Sequence, residues 1–330
     1  MGLNEQSRAL VEQVATLRAQ FAQTIVGNEE ILDYMLKGLF SGGHLLIEGL
    51  PGLGKTLMVK TVAGLLDLQL ARVQFTPDLM PADILGVNML MESDQGRRQF
   101  HFEKGPVFTN ILLADEINRA TPKTQSALLQ VMEEQFITIF GRDYPMNEVF
   151  ITLATQNPIE LRGTYPLPEA QIDRFMFKLN LAPPNLDQLE RIARLQLAHL
   201  GAPVKPSPVF DTGRILEVRE LIRQIPVEEE YSRFAAKFVH ALSPDSPAAP
   251  EITRKYVKYG SSPRGLIALL AAAKVTAAFE GRFNLSHADL RANYLAALRH
   301  RVVLNFEAQV QKVRVDELLR DIFEECERRR

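Results

Sequence analysis

Two apolar periods alternate through the first half of the chain, and only one persists in the second. Leu10, Val11, Val14, Leu17 and Phe21 recur at three-to-four spacing, which predicts an amphipathic helix over residues 5–23. Asn28, a residue type that caps helix starts, opens a second helix through Phe40, and Ser41-Gly42-Gly43 stops it. Short apolar runs at His44–Glu48, Leu70–Gln74, Ile111–Ala114, Val149–Thr155 and Phe175–Leu179 read as strands, and Ile111–Ala114 is apolar enough to be buried on both faces. Helical spacing separates them at Lys55–Leu66, Pro122–Glu134 and, briefly, Glu169–Asp173.

Two stretches interrupt this alternation as hairpins. One pairs Val87–Met91 with Gln99–Phe102 around Glu92-Ser93-Asp94-Gln95-Gly96; the other pairs Phe136–Phe140 with Tyr144–Asn147 around Gly141-Arg142-Asp143. Ala182-Pro183-Pro184 then breaks the pattern. Beyond it only helical spacing continues, at Leu186–Leu200, Ile215–Ile225, Ser232–Leu242, Arg264–Phe279 and Ala288–Val302, with proline-rich loops at Pro203–Pro208 and Pro244–Pro250. The expectation is an α/β core over residues 1–183, a parallel sheet between helices with two hairpin insertions, followed by a small all-α domain over 184–330.

Composition narrows the classes. The chain has 330 residues, enough for two cores. Its 38 Lys and Arg against 40 Asp and Glu leave a net charge of −2, with no basic excess to advertise nucleic acid. One cysteine, Cys326, excludes an internal disulfide, and six scattered histidines lack metal-ligand spacing and read as surface or hydrogen-bonded polar residues. The start of the chain shows no basic-then-apolar signal, and no apolar run reaches the roughly 18 residues of a membrane span. A soluble cytoplasmic protein is expected. Glu228-Glu229-Glu230 and the end Glu327-Arg328-Arg329-Arg330 read as solvated charge.

The chemistry centres on Gly49-Leu50-Pro51-Gly52-Leu53-Gly54-Lys55-Thr56, which has the spacing GxxxxGK[ST] between an apolar strand and a helix. Glycines let successive N–H groups turn inward at the positive end of the helix, an arrangement that binds phosphate. Lys55 adds a compact positive charge, and the Thr56 hydroxyl suits a Mg²⁺ that bridges phosphates. The strand Ile111–Ala114 ends in Asp115 and Glu116, where open α/β sheets bind ligands. Asp115 is the candidate to hold Mg²⁺ through water, and Glu116 the candidate to polarise an attacking water. The strand Val149–Thr155 runs into Gln156-Asn157-Pro158, so Asn157 either orients that water or simply forms a turn before proline. Ile25-Val26 precede the second helix, either walling a nucleobase or stapling the helix entry. Arg264 falls in the first turn of a long helix, a place the helix dipole disfavours for a cation; it is either a solvated arginine or one with a phosphate partner.

The order and wording of these motifs resemble the MoxR family of AAA+ ATPases. The matching phrases are Gly49–Thr56, Val73-Gln74-Phe75-Thr76-Pro77-Asp78-Leu79, Leu112–Ala120, Pro122–Leu129, Ala154-Thr155-Gln156-Asn157-Pro158-Ile159-Glu160 and Gly163–Gln171, with lid-domain echoes at Ser262-Pro263-Arg264 and Leu298-Arg299-His300-Arg301. The resemblance implies an AAA+ P-loop core with a helical lid, and a homo-hexameric ring with ATP and Mg²⁺ between subunits. It makes Gly49, Pro51, Gly52, Leu53, Gly54, Lys55, Thr56 and Leu57, with Ile25 and Val26, the nucleotide-binding set, and Thr56 and Asp115 the metal-binding pair. It casts Asp115 and Glu116 as Walker B, Asn157 as sensor 1, Arg174 as the arginine finger and Arg264 as sensor 2. Arg119 is either a further interface arginine or a helix-edge ion pair. The hairpins match elements that project toward the ring's central channel.

Where the family commonly has Gln-Glu, this chain has Leu161-Arg162, a reversed charge near the expected subunit or client surface. The family usually acts as a chaperone-like remodeller alongside proteins with von Willebrand factor A domains. Alternatives on the same core are a nucleic-acid motor or loader, a chelatase motor subunit, and a nucleotide-gated scaffold. The first is disfavoured by the even spread of Lys and Arg, the last by the presence of both Glu116 and Arg174. An activator of the alternative-sigma class is disfavoured because residues 76–108 lack its Gly-Ala-Phe-Thr-Gly-Ala loop.

Overall fold

The computed structural model describes residues 3–92, 98–158, 163–198 and 206–329. Two helices, α1 (Leu3–Ala22) and α2 (Glu29–Ser41), precede strand β1 (Leu45–Gly49) and helix α3 (Lys55–Leu65). Strand β2 (Leu70–Gln74) leads through the short α4 (Pro81–Leu85) into a hairpin of β3 (Gly86–Glu92) and β4 (Arg98–Lys104). The chain returns through β5 (Ile111–Asp115), a 3₁₀ turn (Ile117–Arg119) and α5 (Pro122–Glu134) to the hairpin β6 (Phe136–Ile139) and β7 (Arg142–Pro145). Strand β8 (Ile151–Gln156), the short α6 (Glu169–Ile172) and β9 (Phe177–Leu181) complete the core.

Helices dominate the rest: α7 (Leu186–Ala198), α8 (Thr212–Gln224), α9 (Glu229–Ala241) and α10 (Glu251–Tyr256). They are followed by β10 (Val257–Tyr259), α11 (Pro263–Phe279), α12 (His287–Leu298), β11 (Val303–Leu304), α13 (Phe306–Val310) and α14 (Val315–Arg328). Among the described residues, β10 and β11 pair with each other and the main sheet is five-stranded and parallel, in the order β2-β5-β8-β1-β9.

Alternation along the central strands splits the core into two layers. Leu45, Ile47, Ile111, Leu113, Ile151 and Leu153 face α1, α2 and α3, in an apolar cluster that continues into α8, α9, α11, α12 and α14. Leu46, Leu112, Ala114 and Ala154 point the other way, against Leu128 and Met132 of α5. A strand covered on both faces must be apolar at every position, which is why these strands are continuous apolar runs. His44, just before β1, is buried, and both ring nitrogens are bonded, Nδ1 to Thr152 N and Nε2 to Met132 O.

Four expectations need correction. Asn28 stands at the start of α2 but in the left-handed region (φ 64°) with no side-chain cap, because Gly27 and Asn28 together turn the chain away from α1. The second hairpin turns at Phe140-Gly141 (φ 48° and 75°), which makes Arg142 and Asp143 strand residues: two positive φ values match the strand twist, so a two-residue turn suffices. Strand β9 starts two residues later than expected, because the Phe175 carbonyl is taken by His300 and Arg301 instead of a neighbouring strand. The acidic and basic C-terminal stretch continues helix α14, in which Glu327 binds Arg291 while Leu318, Leu319, Ile322 and Phe323 are buried. The turn of the first hairpin and Leu161-Arg162 lie outside the described residues.

Candidate functional site

Strand β1 ends at Gly49 and α3 begins at Lys55, so the glycine-rich loop alone joins the strand to the helix. Gly52 and Gly54 have φ of 82° and 76°, a region that only glycine enters without strain, and apart from the adjoining residues nothing lies within 4 Å of where a Cβ would stand on either. The loop is therefore both contorted and open. Lys55 is buried and its Nζ donates to Gly49 O at 2.8 Å, folding the ammonium back over the loop. Burial lowers its pKa, opposed by the nearby charges of Asp115 and Glu116. Thr56 follows in the first turn of α3.

The acids stand at the end of β5, one strand removed from β1 across β8. The Thr155 hydroxyl donates to Asp115 Oδ1 at 2.6 Å and accepts from the Glu116 N–H at 2.9 Å, so β8 locks both residues in place. Asp115 Oδ2 accepts from Arg72 Nη2 at 2.7 Å. Glu116 takes a left-handed conformation (φ 57°), and its Oε2 accepts from Gln74 Nε2 and Arg119 Nη1, each at 3.0 Å. Arg72 Nη2 also reaches Gln74 Oε1 at 3.0 Å, which leaves the amide NH₂ for Glu116. Asn157 lies buried beyond the end of β8, its carbonyl approached by Asn118 Nδ2 at 3.5 Å.

Beside the loop is a cavity of about 310 Å³ that brings together Ile25, Val26, Gly52, Leu53, Gly54 and Leu57. Its far wall is α7, through Gln188, Leu189, Ile192 and Leu195. None of α7 is buried, so its apolar face is given to this cavity rather than to the core. Among the described residues no cluster of three or more His, Cys, Asp or Glu could hold a metal on its own.

Arg174 and Arg264 do not line the cavity. Arg174 Nη1 donates to Leu129 O at 2.9 Å and pairs with Glu133 Oε2 at 3.0 Å, while Arg264 pairs with Glu133 Oε1 and with Asp173 Oδ2 at 3.4 Å. Two acids satisfy Arg264 at the helix start that the dipole disfavours. Arg119 is an ion pair with Glu116 in this structure. The sequence offered no sign of Arg72, Glu133 or the α7 wall; Gln74 had a signal, since it lies in the Val73–Leu79 phrase that carries the family resemblance.

Residues 44–177 match the model of the ATPase family associated with various cellular activities (AAA), and residues 249–322 match the AAA lid domain. The chain is 40% identical over 311 residues to Chaperone MoxR1 of Mycobacterium tuberculosis, spanning 93% of this chain and 81% of that protein. It is 30% identical over 330 residues to Protein MoxR of Methylorubrum extorquens, spanning 95% and 94%. A crystal structure from Cytophaga hutchinsonii superposes with a TM-score of 0.90 at 35% identity, covering 97% of this chain and 96% of that one.

Proposed function

Because the chain belongs to the MoxR family of AAA+ ATPases, we propose that it hydrolyses ATP between the subunits of a homo-hexameric ring and that turnover drives maturation or assembly of client proteins beside a von Willebrand factor A domain partner. The observation that carries this reading is the division of the candidate groups: the loop lines the cavity and its Lys55 feels the charges of Asp115 and Glu116, while Arg174 and Arg264 share a different carboxylate. A site whose arginines come from a neighbour turns over only when assembled.

The open glycine cradle and the hard-oxygen pair of Thr56 hydroxyl and Asp115 carboxylate fit a nucleotide with Mg²⁺, and these two residues would hold the ion. Bound there, Mg²⁺ would neutralise phosphate charge. Lys55 leaves the Gly49 carbonyl to hold phosphate oxygens. Ile25, Val26, Leu57, Leu189 and Ile192 cover the base and exclude water from it. Glu116 accepts the proton of the attacking water, which Asn157 orients. Arg174 and Arg264 supply positive charge from the next subunit as charge accumulates on the transferred group.

The test is capture from a lysate of the native host with the Glu116→Gln chain held in ATP. Recovery of a von Willebrand factor A protein only with ATP supports the remodeller. Recovery of nucleic acid or replication proteins replaces it with the motor reading, and a porphyrin-metallating partner replaces it with the chelatase reading.

A further inference from the structure

Glu133 stands in the last turn of α5 and one of its carboxylate oxygens goes to each arginine: Oε2 to Arg174 at 3.0 Å, Oε1 to Arg264. We infer that Glu133 is a carboxylate latch that occupies, in the unassembled chain, the two guanidinium groups a neighbour's phosphate needs, so that it opposes ring assembly until nucleotide displaces it. This rests on the roles given to Arg174 and Arg264 under the proposed function.

The surroundings separate what is fixed from what moves. Arg301 is buried and donates to Asp173 Oδ1 at 2.8 Å, Asp173 O at 2.9 Å, Phe175 O at 2.8 Å and Met176 O at 3.1 Å, which immobilises the backbone on both sides of Arg174. Among the described residues the Arg174 tip, by contrast, is held by α5, through Leu129 O and Glu133. The Glu133, Arg174 and Arg264 side chains are 40%, 31% and 49% exposed, and ion pairs this wet are weak. A phosphate carries more charge than a carboxylate and has an oxygen for each guanidinium fork, so it wins the exchange. Charge also favours an anion here. Asp173 divides its carboxylate among Arg301, Ser262 and, at 3.4 Å, Arg264, so Glu133 is the acid that Arg174 and Arg264 share. A cleft of about 270 Å³ lined by Ser126, Gln130, Glu133, Gln171 and Arg174 gives the approach.

The experiment is steady-state hydrolysis of Mg-ATP per chain, measured against concentration of the full chain, for the unchanged protein, Glu133→Gln, Glu134→Gln and Arg174→Ala. Glu133→Gln keeps shape and removes charge; it is expected to shift half-maximal specific activity to roughly threefold lower chain concentration, with the plateau unchanged. Glu134→Gln removes the adjacent charge, which the structure bonds to Gln130, and is expected to leave the midpoint where it was. An unchanged or higher midpoint in Glu133→Gln, a lowered plateau, or an equal shift in Glu134→Gln would each overturn the latch. Full turnover by Arg174→Ala, or activity independent of chain concentration, would instead remove the intersubunit reading on which the latch depends.

Discussion

Gln74 Nε2 donates to Glu116 Oε2 at 3.0 Å, tying the candidate base to a neighbouring strand 42 residues away in the chain. Arg72 orients that amide and simultaneously holds Asp115, so one guanidinium touches the settings of both acids. Gln74→Leu removes a donor from Glu116 without touching the cavity. Basal hydrolysis is expected to rise roughly threefold, the scale of one hydrogen bond, with KM for ATP unchanged. A rate equal to the parent's would show that the amide does not restrain the carboxylate.

Glu116→Gln keeps the shape of the side chain and loses the proton acceptor. Turnover should fall by about a hundredfold or more while ATP affinity, read by calorimetry, is retained. Arg174→Ala should cut turnover similarly without changing the thermal unfolding of the single chain. Hydrolysis intact in either variant would cancel the role given to that residue.

Arg301 is expected to matter for stability. Its side chain is 2% exposed and binds the Asp173 carboxylate and several carbonyls, so Arg301→Ala takes a buried donor from each of them. The cost is about 3 kcal/mol, seen as a lower denaturant midpoint. Arg301→Lys should rescue little, since an ammonium lacks the planar fork.

Acid sensitivity follows from His44. The Thr152 N–H donates to Nδ1, so Nε2 carries the proton for Met132 O, and a second proton on the ring would face Thr152 N–H. Burial pushes the pKa down to about 4. Between the ordinary value near 6.5 and about 4 the unfolded chain binds more protons than the folded one, so stability falls as pH falls through that window. The slope from this one group is at most about 1.4 kcal/mol per pH unit. His300, lowered by burial and by Arg301, acts in the same direction. In urea titrations from pH 7 to 4.5, His44→Gln should flatten the dependence; an unaltered slope would assign the acid sensitivity elsewhere.

The sequence by itself determined whatever depends on neighbours in the chain. A glycine loop between strand and helix, apolar runs long enough for a two-faced sheet, and an Asp-Glu pair at a strand end are local patterns, and each stands where expected. Helix α14 carries a local pattern too, in the spacing of Leu318, Leu319, Ile322 and Phe323, but only its end, from Glu327, was read, and as solvated charge. Tertiary structure alone decided which distant groups meet. Glu133 finds Arg264 131 residues away, Arg301 finds Asp173 128 residues away, and α7 turns its apolar face to the cavity of the loop rather than to the core. The reason is physical: periodicity specifies which face of an element is apolar or charged, whereas the identity of the opposing face is set by the packing of the whole sheet and its helices, for which no local pattern exists.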